Sequence, residues 1–283
     1  MNMNRCRSAS FFARCCLAVS ALCGGPVFAG TADGLTFWPM QLSYSATDNK
    51  GGVALSVINS TKKAFLLKAN VSAMDPDTGR IAAGRQALPP FVTVPPLVRL
   101  AGDDRYQFRI RQLGGVLPDD RESASIISVT AIPGTQTPLR PSPGGEAKAA
   151  TGTPALQLAM KMNIRLFYRP AKVAPRKDEV LARQLTFSSD GRTLVVNNPT
   201  PYFVHFSTLS IGGRALKREE YEGYIVPKGS RRFTTTAPVS GVVEWTFSGK
   251  KDVYHATPER CDNSMAASSH RPACRAAIYT SKG

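Results

Sequence analysis

The sequence predicts an all-β protein made of two antiparallel sandwiches, and three observations carry that prediction. The chain has 283 residues, which at roughly 100 to 200 residues per domain gives two domains, each able to bury its own core. Apolar positions recur with period two in short runs rich in Val, Ile, Thr, Phe and Tyr, the pattern of half-buried strands. Clusters of Gly, Pro, Asn and Asp separate these runs, and about thirteen short strands with frequent turns match a pair of sandwiches.

In chain order, strands are expected at Leu35 to Tyr44, Val53 to Ile58, Ala64 to Met74, Phe91 to Val94, Arg105 to Arg111, Ala124 to Ile132, Ala155 to Tyr168, Gln184 to Phe187, Thr193 to Val196, Phe203 to Leu209, Tyr224 to Val226, Arg231 to Thr236 and Val242 to Phe247. Helical patterning is weak. Asp178 to Gln184 and Ala215 to Glu222 each read equally as a short helix or a solvated loop. Gly134 to Pro154 (GTQTPLRPSPGGEAKAATGTP) lacks strand character and reads as a long loop. Arg169 to Arg176 (RPAKVAPR) holds two prolines and three basic residues, the composition of a hinge. The expected division is therefore 1–29 as a leader, 30–170 as a first domain and 171–283 as a second domain with a polar tail.

The leader is read as a secretory signal peptide. Arg5 and Arg7 precede an apolar stretch from Cys15 to Cys23, and Val27 and Ala29 supply the small residues before a cut. Arg14 shortens the apolar run below the roughly 18 residues that a spanning helix needs. No later run is longer, so no transmembrane segment is expected. Four of six cysteines lie in the leader. The other two, Cys261 and Cys274, are expected to form a disulfide in an oxidising compartment, worth about 3 kcal/mol in the chain-entropy view. A rival reading adds His255 and His270 to make a metal set, but the close Cys pair of structural zinc sites is missing. No metal and no cofactor are expected.

Composition narrows the function classes. Charged residues are 20% and apolar ones 42%, an ordinary balance for a folded chain, yet the net charge is +16. The leader carries three arginines and no acid, so 33 basic against 20 acidic residues, a net +13, belong to the rest. The excess is spread without a dense basic cluster or interleaved aromatics. An exported basic module for anionic glycan or nucleic acid is therefore the alternative reading rather than the first. A hydrolase would need a nucleophile and a base; only His205, His255 and His270 are available, without a GxSxG or HExxH pattern. A fibre subunit would be a single incomplete sandwich, which two domains contradict.

One run looks wrong for a self-contained monomer. In LQLAMKMNIRLFY, Leu156, Leu158, Met160, Met162, Ile164 and Leu166 share one face, while Gln157, Ala159, Lys161, Asn163 and Arg165 share the other. As an unbroken strand from Ala155 to Tyr168 it would extend roughly 45 Å at about 3.3 Å per residue, over twice the usual length. Its first half is expected to be an edge with an apolar stripe, a surface that recruits another strand.

The segment NIRLFYRP, Asn163 to Pro170, resembles the end of the first domain in PapD-like periplasmic chaperones of the chaperone–usher pathway. VPPLVRL (Val94 to Leu100), Arg109 and LPDDRES (Leu117 to Ser123) resemble its upstream signature, and NNPTPYFV (Asn197 to Val204) with IGG (Ile211 to Gly213) its second-domain hallmark. The resemblance implies two immunoglobulin-like β-sandwich domains in an L-shaped arrangement, a location in the periplasm, and no enzyme activity. It implies fibre subunits and an outer-membrane usher as partners, with self-association of the free chaperone also to be considered. It implies donor-strand complementation, in which Leu156, Leu158, Met160 and Met162 fill the core of an unfinished subunit, each buried side chain contributing about 1.5 to 3 kcal/mol. Methionines suit a donor that must fit several cores. Arg165 then anchors the subunit's terminal carboxylate, and the place of the family's second basic anchor is taken by Gln41. Glu122 and Arg169 match buried charges that tie the domains together, while the third, acidic position falls on Phe247. The 22 residues between Pro133 and Leu156 resemble the long-loop branch, without the cysteines that branch often carries there.

Overall fold

A computed structural model of the chain describes residues 30–32, 34–84, 90–134 and 158–260. The leader, Leu156, Cys261, Cys274 and His270 lie outside the described residues. The first half folds into β1 (Gly30–Ala32), β2 (Leu35–Trp38), β3 (Gln41–Ser45), β4 (Val53–Asn59), β5 (Phe65–Asp75), β6 (Arg80–Ile81), β7 (Phe91–Val94), β8 (Leu97–Leu100), β9 (Arg105–Gln112), β10 (Ser123–Pro133) and β11 (Met160–Arg169). One sheet has the order β1-β2-β4-β9-β7, and the sheet facing it has the order β3-β11-β10-β5-β6, with β8 also against β5. Alternate side chains of both sheets, among them Phe37, Leu55, Phe108 and Ile110 from one and Leu67, Val129, Ile164 and Leu166 from the other, close a single core.

Two expected strands change here for physical reasons. Leu35 to Tyr44 is split around Pro39, which has no N–H to give to a ladder, so β2 stays in the first sheet and β3 crosses to the second. There β3 runs parallel to β11, from Gln41 opposite Arg165 to Ser45 opposite Arg169. The long strand expected from Ala155 begins instead at Met160, because its last pairing with β10 is Met160 opposite Ala131. Leu158 and Ala159 are not in a strand, and residues 155–157 lie outside the described ones. On its other side, β11 is paired with β3 only from Arg165 onward. Among the described residues, the Met160–Ile164 edge therefore has no ladder partner on that side.

The second half holds α1 (Asp178–Gln184), β12 (Thr186–Asp190), β13 (Thr193–Asn198), β14 (Phe206–Ile211), β15 (Arg214–Ala215), β16 (Gly229–Thr234), β17 (Val243–Phe247), β18 (Val253–Ala256) and β19 (Glu259–Arg260). The sheets are β16-β13-β12-β19 and β15-β14-β17-β18. Between them sits an aromatic core in which Trp245 lies with its ring centroid 4.6 Å from that of Phe187 and 6.2 Å from that of Phe206. The short helix α1 carries Asp178 and Glu179 in its first turn and Arg183 in its last, matching the helix dipole, and buries Leu181 and Ala182. In Ala215 to Glu222, which reads equally as helix or loop, a 3-10 turn forms at Arg218–Glu220. The expected strand Tyr224 to Val226 contracts to one bridge, Ile225 to Val204.

The same device braces a loop in each half. Asn59 donates to the carbonyls of Lys63 and Ala101, both at 2.7 Å, and accepts from the N–H and hydroxyl of Thr61. Asn198 donates to Tyr202 and Val226 carbonyls at 2.8 and 3.0 Å and accepts from the N–H and hydroxyl of Thr200. Both side chains are almost fully buried and use their donor and acceptor ends. The second brace explains NNPTPYFV: it shapes the loop that carries Phe203 and His205 to the other domain.

Candidate functional site

The parallel pairing of β3 with β11 brings Gln41, Ser43, Arg165, Phe167 and Arg169 to one outward face. The second domain supplies the facing wall through Arg176, Asp178, Phe203, His205, Tyr224, Ser248 and Lys250. Between the two lies a cleft of about 270 Å³. Its floor is apolar: the Phe167 ring lies 5.5 Å from both Phe203 and Tyr224, and Met74 and Ile126 complete the cluster.

Two seams set the relation of the domains. At one, the Glu122 N–H donates to the Pro201 carbonyl at 2.8 Å and the Glu122 carboxylate accepts the Phe203 N–H at 3.0 Å. At the other, the Tyr224 N–H donates to the Pro76 carbonyl at 2.7 Å, while Arg231 donates to the Asp77 carboxylate and carbonyl, each at 2.8 Å. Gly223 makes the second seam possible. Its φ is +93°, and a Cβ there would lie 2.1 Å from the Asp77 carbonyl oxygen. Lys228 pairs with Asp120 at 2.5 Å, and Lys172 pairs with Asp119.

The charges of the first seam differ from the expected pair. Glu122 and Arg169 face the same cleft but form no ion pair within 4.0 Å; Arg169 reaches Asp48 at 3.8 Å instead. Glu122 spends its carboxylate on the Phe203 N–H, because that N–H is the donor its position on the chain presents. Burial pushes the Glu122 carboxyl above the usual carboxylate range, opposed by the Phe203 N–H and by Arg176 and Arg169. At the third position, Phe247 lies under Arg176, whose Cζ is 5.1 Å from the ring centroid. The acid belonging to Arg176 is Asp178, at 2.6 Å, and Arg176 also donates to the Phe203 carbonyl at 2.9 Å. Sequence reasoning passed over Arg176 and Asp178, taking RPAKVAPR only as a hinge.

Gln41 is exposed and Arg165 is half-buried. The Arg165 Nε is buried without a hydrogen-bond partner, and its Cζ lies 5.6 Å from the Tyr224 centroid. His205 packs its ring 4.7 Å from Tyr224, places Nδ1 2.6 Å from the Ser248 hydroxyl and accepts at Nε2 from Arg218 at 3.0 Å. An Nε2 that accepts is unprotonated, so the proton sits on Nδ1 and points to Ser248. Burial, with Arg218 and Arg165 nearby, lowers its pKa to about 4. His255, the other described member of the metal set, pairs with Glu244 at 3.1 Å.

Along β11 the apolar face changes character. Ile164 and Leu166 are buried; Met160 and Met162 are half-buried against the same core. Leu158 is 64% exposed. No described helix is long and apolar enough to cross a membrane.

Comparison with known proteins agrees with this geometry. The family model "Pili and flagellar-assembly chaperone, PapD N-terminal domain" matches residues 35–174, and "Pili assembly chaperone PapD, C-terminal domain" matches residues 181–248. The chain is 36% identical over 187 residues to "Chaperone protein AfaB" of Escherichia coli, covering 66% of this chain and 70% of that protein. It is 34% identical over 187 residues to "Chaperone protein NfaE" of Escherichia coli, covering 66% and 70%. Among solved structures, the Salmonella enterica SafB chaperone in complex with the SafA pilin superposes with a TM-score of 0.63 at 25% identity, covering 81% of this chain and 98% of that one. The Escherichia coli chaperone DraB gives 0.57 at 31% identity, covering 75% and 90%. Two sandwich domains joined at an aromatic cleft, both domain models in order and relatives above 30% identity place this chain in the PapD family of pilus-assembly chaperones of the chaperone–usher pathway.

Proposed function

We propose that this protein binds, folds and caps fibre subunits in the periplasm by donor-strand complementation and hands them to an outer-membrane usher, without enzymatic chemistry of its own. The observation that carries the reading is the β11 edge. From Met160 to Ile164 it is unpaired on the β3 side among the described residues, while its apolar face passes from buried Ile164 through half-buried Met162 and Met160 to exposed Leu158. A subunit lacking one strand gains backbone pairing from such an edge and apolar contacts from Leu158, Met160 and Met162, with Leu156 continuing the series. Arg165, whose Nε has no partner, holds the subunit's terminal carboxylate, and Gln41 beside it offers an amide donor. The cleft floor of Phe167, Phe203 and Tyr224 keeps water from that contact.

The test is co-expression with candidate fibre subunits. A one-to-one periplasmic complex is expected with the wild type. Leu158→Asp combined with Met160→Asp should abolish it, and Arg165→Ala should leave the subunit degraded. A subunit that remains stable and unbound with every version overturns the reading.

A further inference from the structure

Seven methionines occur in the sequence, and four of them, Met40, Met74, Met160 and Met162, lie among the described residues. Met74 is only 8% exposed and clusters with Ile126, Phe167 and Tyr224. Met160 and Met162 are placed differently. Each is half-buried against the first-domain core and is held on one side by the β10 ladder, opposite Ala131 and Val129. On the other side β3 pairs with β11 only from Arg165 onward, so among the described residues no ladder closes the edge beside them. Two thioethers two residues apart therefore share one face of the strand, at the stretch where the sheet stops covering it. Leucine, used at Leu158 on the same face, supplies comparable apolar bulk; methionine adds a polarisable sulfur that can be oxidised.

We propose that Met160 and Met162 are a reversible oxidation site, at which a two-electron oxidant such as hypochlorous acid disables strand donation by converting the thioethers to sulfoxides. The inference rests on the subunit-binding reading and gives that site a mode of control. In net terms the thioether and hypochlorous acid yield a sulfoxide, a proton and chloride: an S–O bond forms, the O–Cl bond is lost, and two electrons pass from sulfur to chlorine. The new oxygen is a hydrogen-bond acceptor on the face that must enter an apolar core. Neither side chain is fully buried in the free chain, so water solvates the oxygen there at little cost. In a complex it is buried without a donor, and the penalty falls on binding. One sulfoxide weakens capture by about tenfold and two by more. A bound subunit covers both sulfurs, so the loaded chain is protected while the empty one is disabled, and reduction of the sulfoxides restores it.

The experiment exposes the purified full-length chain to a few molar equivalents of hypochlorous acid. Trypsin cuts after Lys161, so the two sulfurs fall in separate peptides and the oxidation of each is read by mass spectrometry. Met160 and Met162 are expected to oxidise at least about fivefold faster than Met74; equal rates overturn the proposal and leave the subunit-binding reading standing. Capture is measured by diluting a denatured candidate fibre subunit into buffer with the chain and collecting the one-to-one complex by gel filtration. These runs carry Met40→Leu, which removes the other half-buried described methionine. Oxidation should lower capture by about tenfold or more, and methionine sulfoxide reductases of both stereospecificities should restore it. No loss, or a loss that the reductases leave in place, overturns the proposal. Met160→Leu with Met162→Leu, compared with its own untreated level, should change by less than about twofold on oxidation; a loss as large as the parent's places the damage elsewhere and overturns the proposal. A complex assembled before treatment should keep both thioethers reduced, and oxidation there at the rate of the free chain overturns the protection. If the untreated chain captures no candidate subunit, the subunit-binding reading falls and this inference with it.

Discussion

Glu122→Ala tests what holds the two domains in place. The substitution removes the acceptor of the Phe203 N–H, a 3.0 Å bond across the first seam, and leaves that donor unpaired in a half-buried position at a cost of about 1 to 3 kcal/mol. Part of the loss is returned. Burial raises the Glu122 pKa, so the charged carboxylate is held at an energetic cost that alanine abolishes. The main-chain bond from Glu122 to Pro201 is unaffected by the side chain. The net expectation is a destabilisation of about 1 to 2 kcal/mol at pH 7, or roughly 3 to 6 °C in Tm for a chain of this size. Glu122→Gln keeps an acceptor oxygen and carries no charge to desolvate, so it should fall within about 0.5 kcal/mol of the wild type. Urea and thermal unfolding followed by the fluorescence of Trp245, which is buried in the second-domain core, measure both variants. If Gln is as damaging as Ala, the carboxylate charge matters and the acceptor argument is wrong. If Ala is neutral, the seam contributes nothing to stability.

Three further outcomes follow from the geometry. Gly223→Ala forces a Cβ to 2.1 Å from the Asp77 carbonyl at a φ of +93°; a loss above about 2 kcal/mol is expected in urea unfolding, with the Arg231–Asp77 pair broken. Asn198→Ala strands two carbonyls and the Thr200 hydroxyl in a buried loop and should cost about 2 to 4 kcal/mol in the same assay, whereas Leu158→Ala, at an exposed position, should leave stability within about 0.5 kcal/mol. His205 has a folded pKa of about 4 against an ordinary 6.5, so between those values the unfolded chain binds a proton that the folded one refuses, and stability falls as pH drops through that window; His205→Gln should reduce the slope of stability against pH there, by less than the full 1.4 kcal/mol per unit because the ring is only partly buried.

Where the pattern is local, the sequence reports it well. Period-two alternation marks the core strands because each of them buries one face, while Asp178–Gln184, which reads equally as helix or loop, is a helix with those bounds that buries Leu181 and Ala182. Short pieces escaped: β8 follows directly on Pro95 and Pro96, and β18 carries only Tyr254 and Ala256 as buried positions, too few for a period to be visible. The cleft was half legible. NIRLFYRP pointed to Arg165 and the long strand through resemblance, and the structure sets Gln41 opposite Arg165 in a parallel pairing between distant parts of the chain. On the second-domain wall, Phe203 falls inside the matched motif NNPTPYFV, and the rest of the wall had no such signal. His205, Arg218 and Tyr224 sit just ahead of β14, on a 3-10 turn and in a loop, and they meet only after the chain folds back on itself. The resemblance pairs Glu122 with Arg169, yet each finds a nearer partner, the Phe203 N–H and Asp48, because a motif match carries residue types and not the donors that the backbone presents.

Each seam contains a bond between main-chain atoms, Glu122 to Pro201 and Tyr224 to Pro76. A main-chain bond survives most exchanges of side chain. The two halves therefore act as a bracket whose opening is preset, and the residues lining its jaws can be swapped for a different cargo without rebuilding the holder.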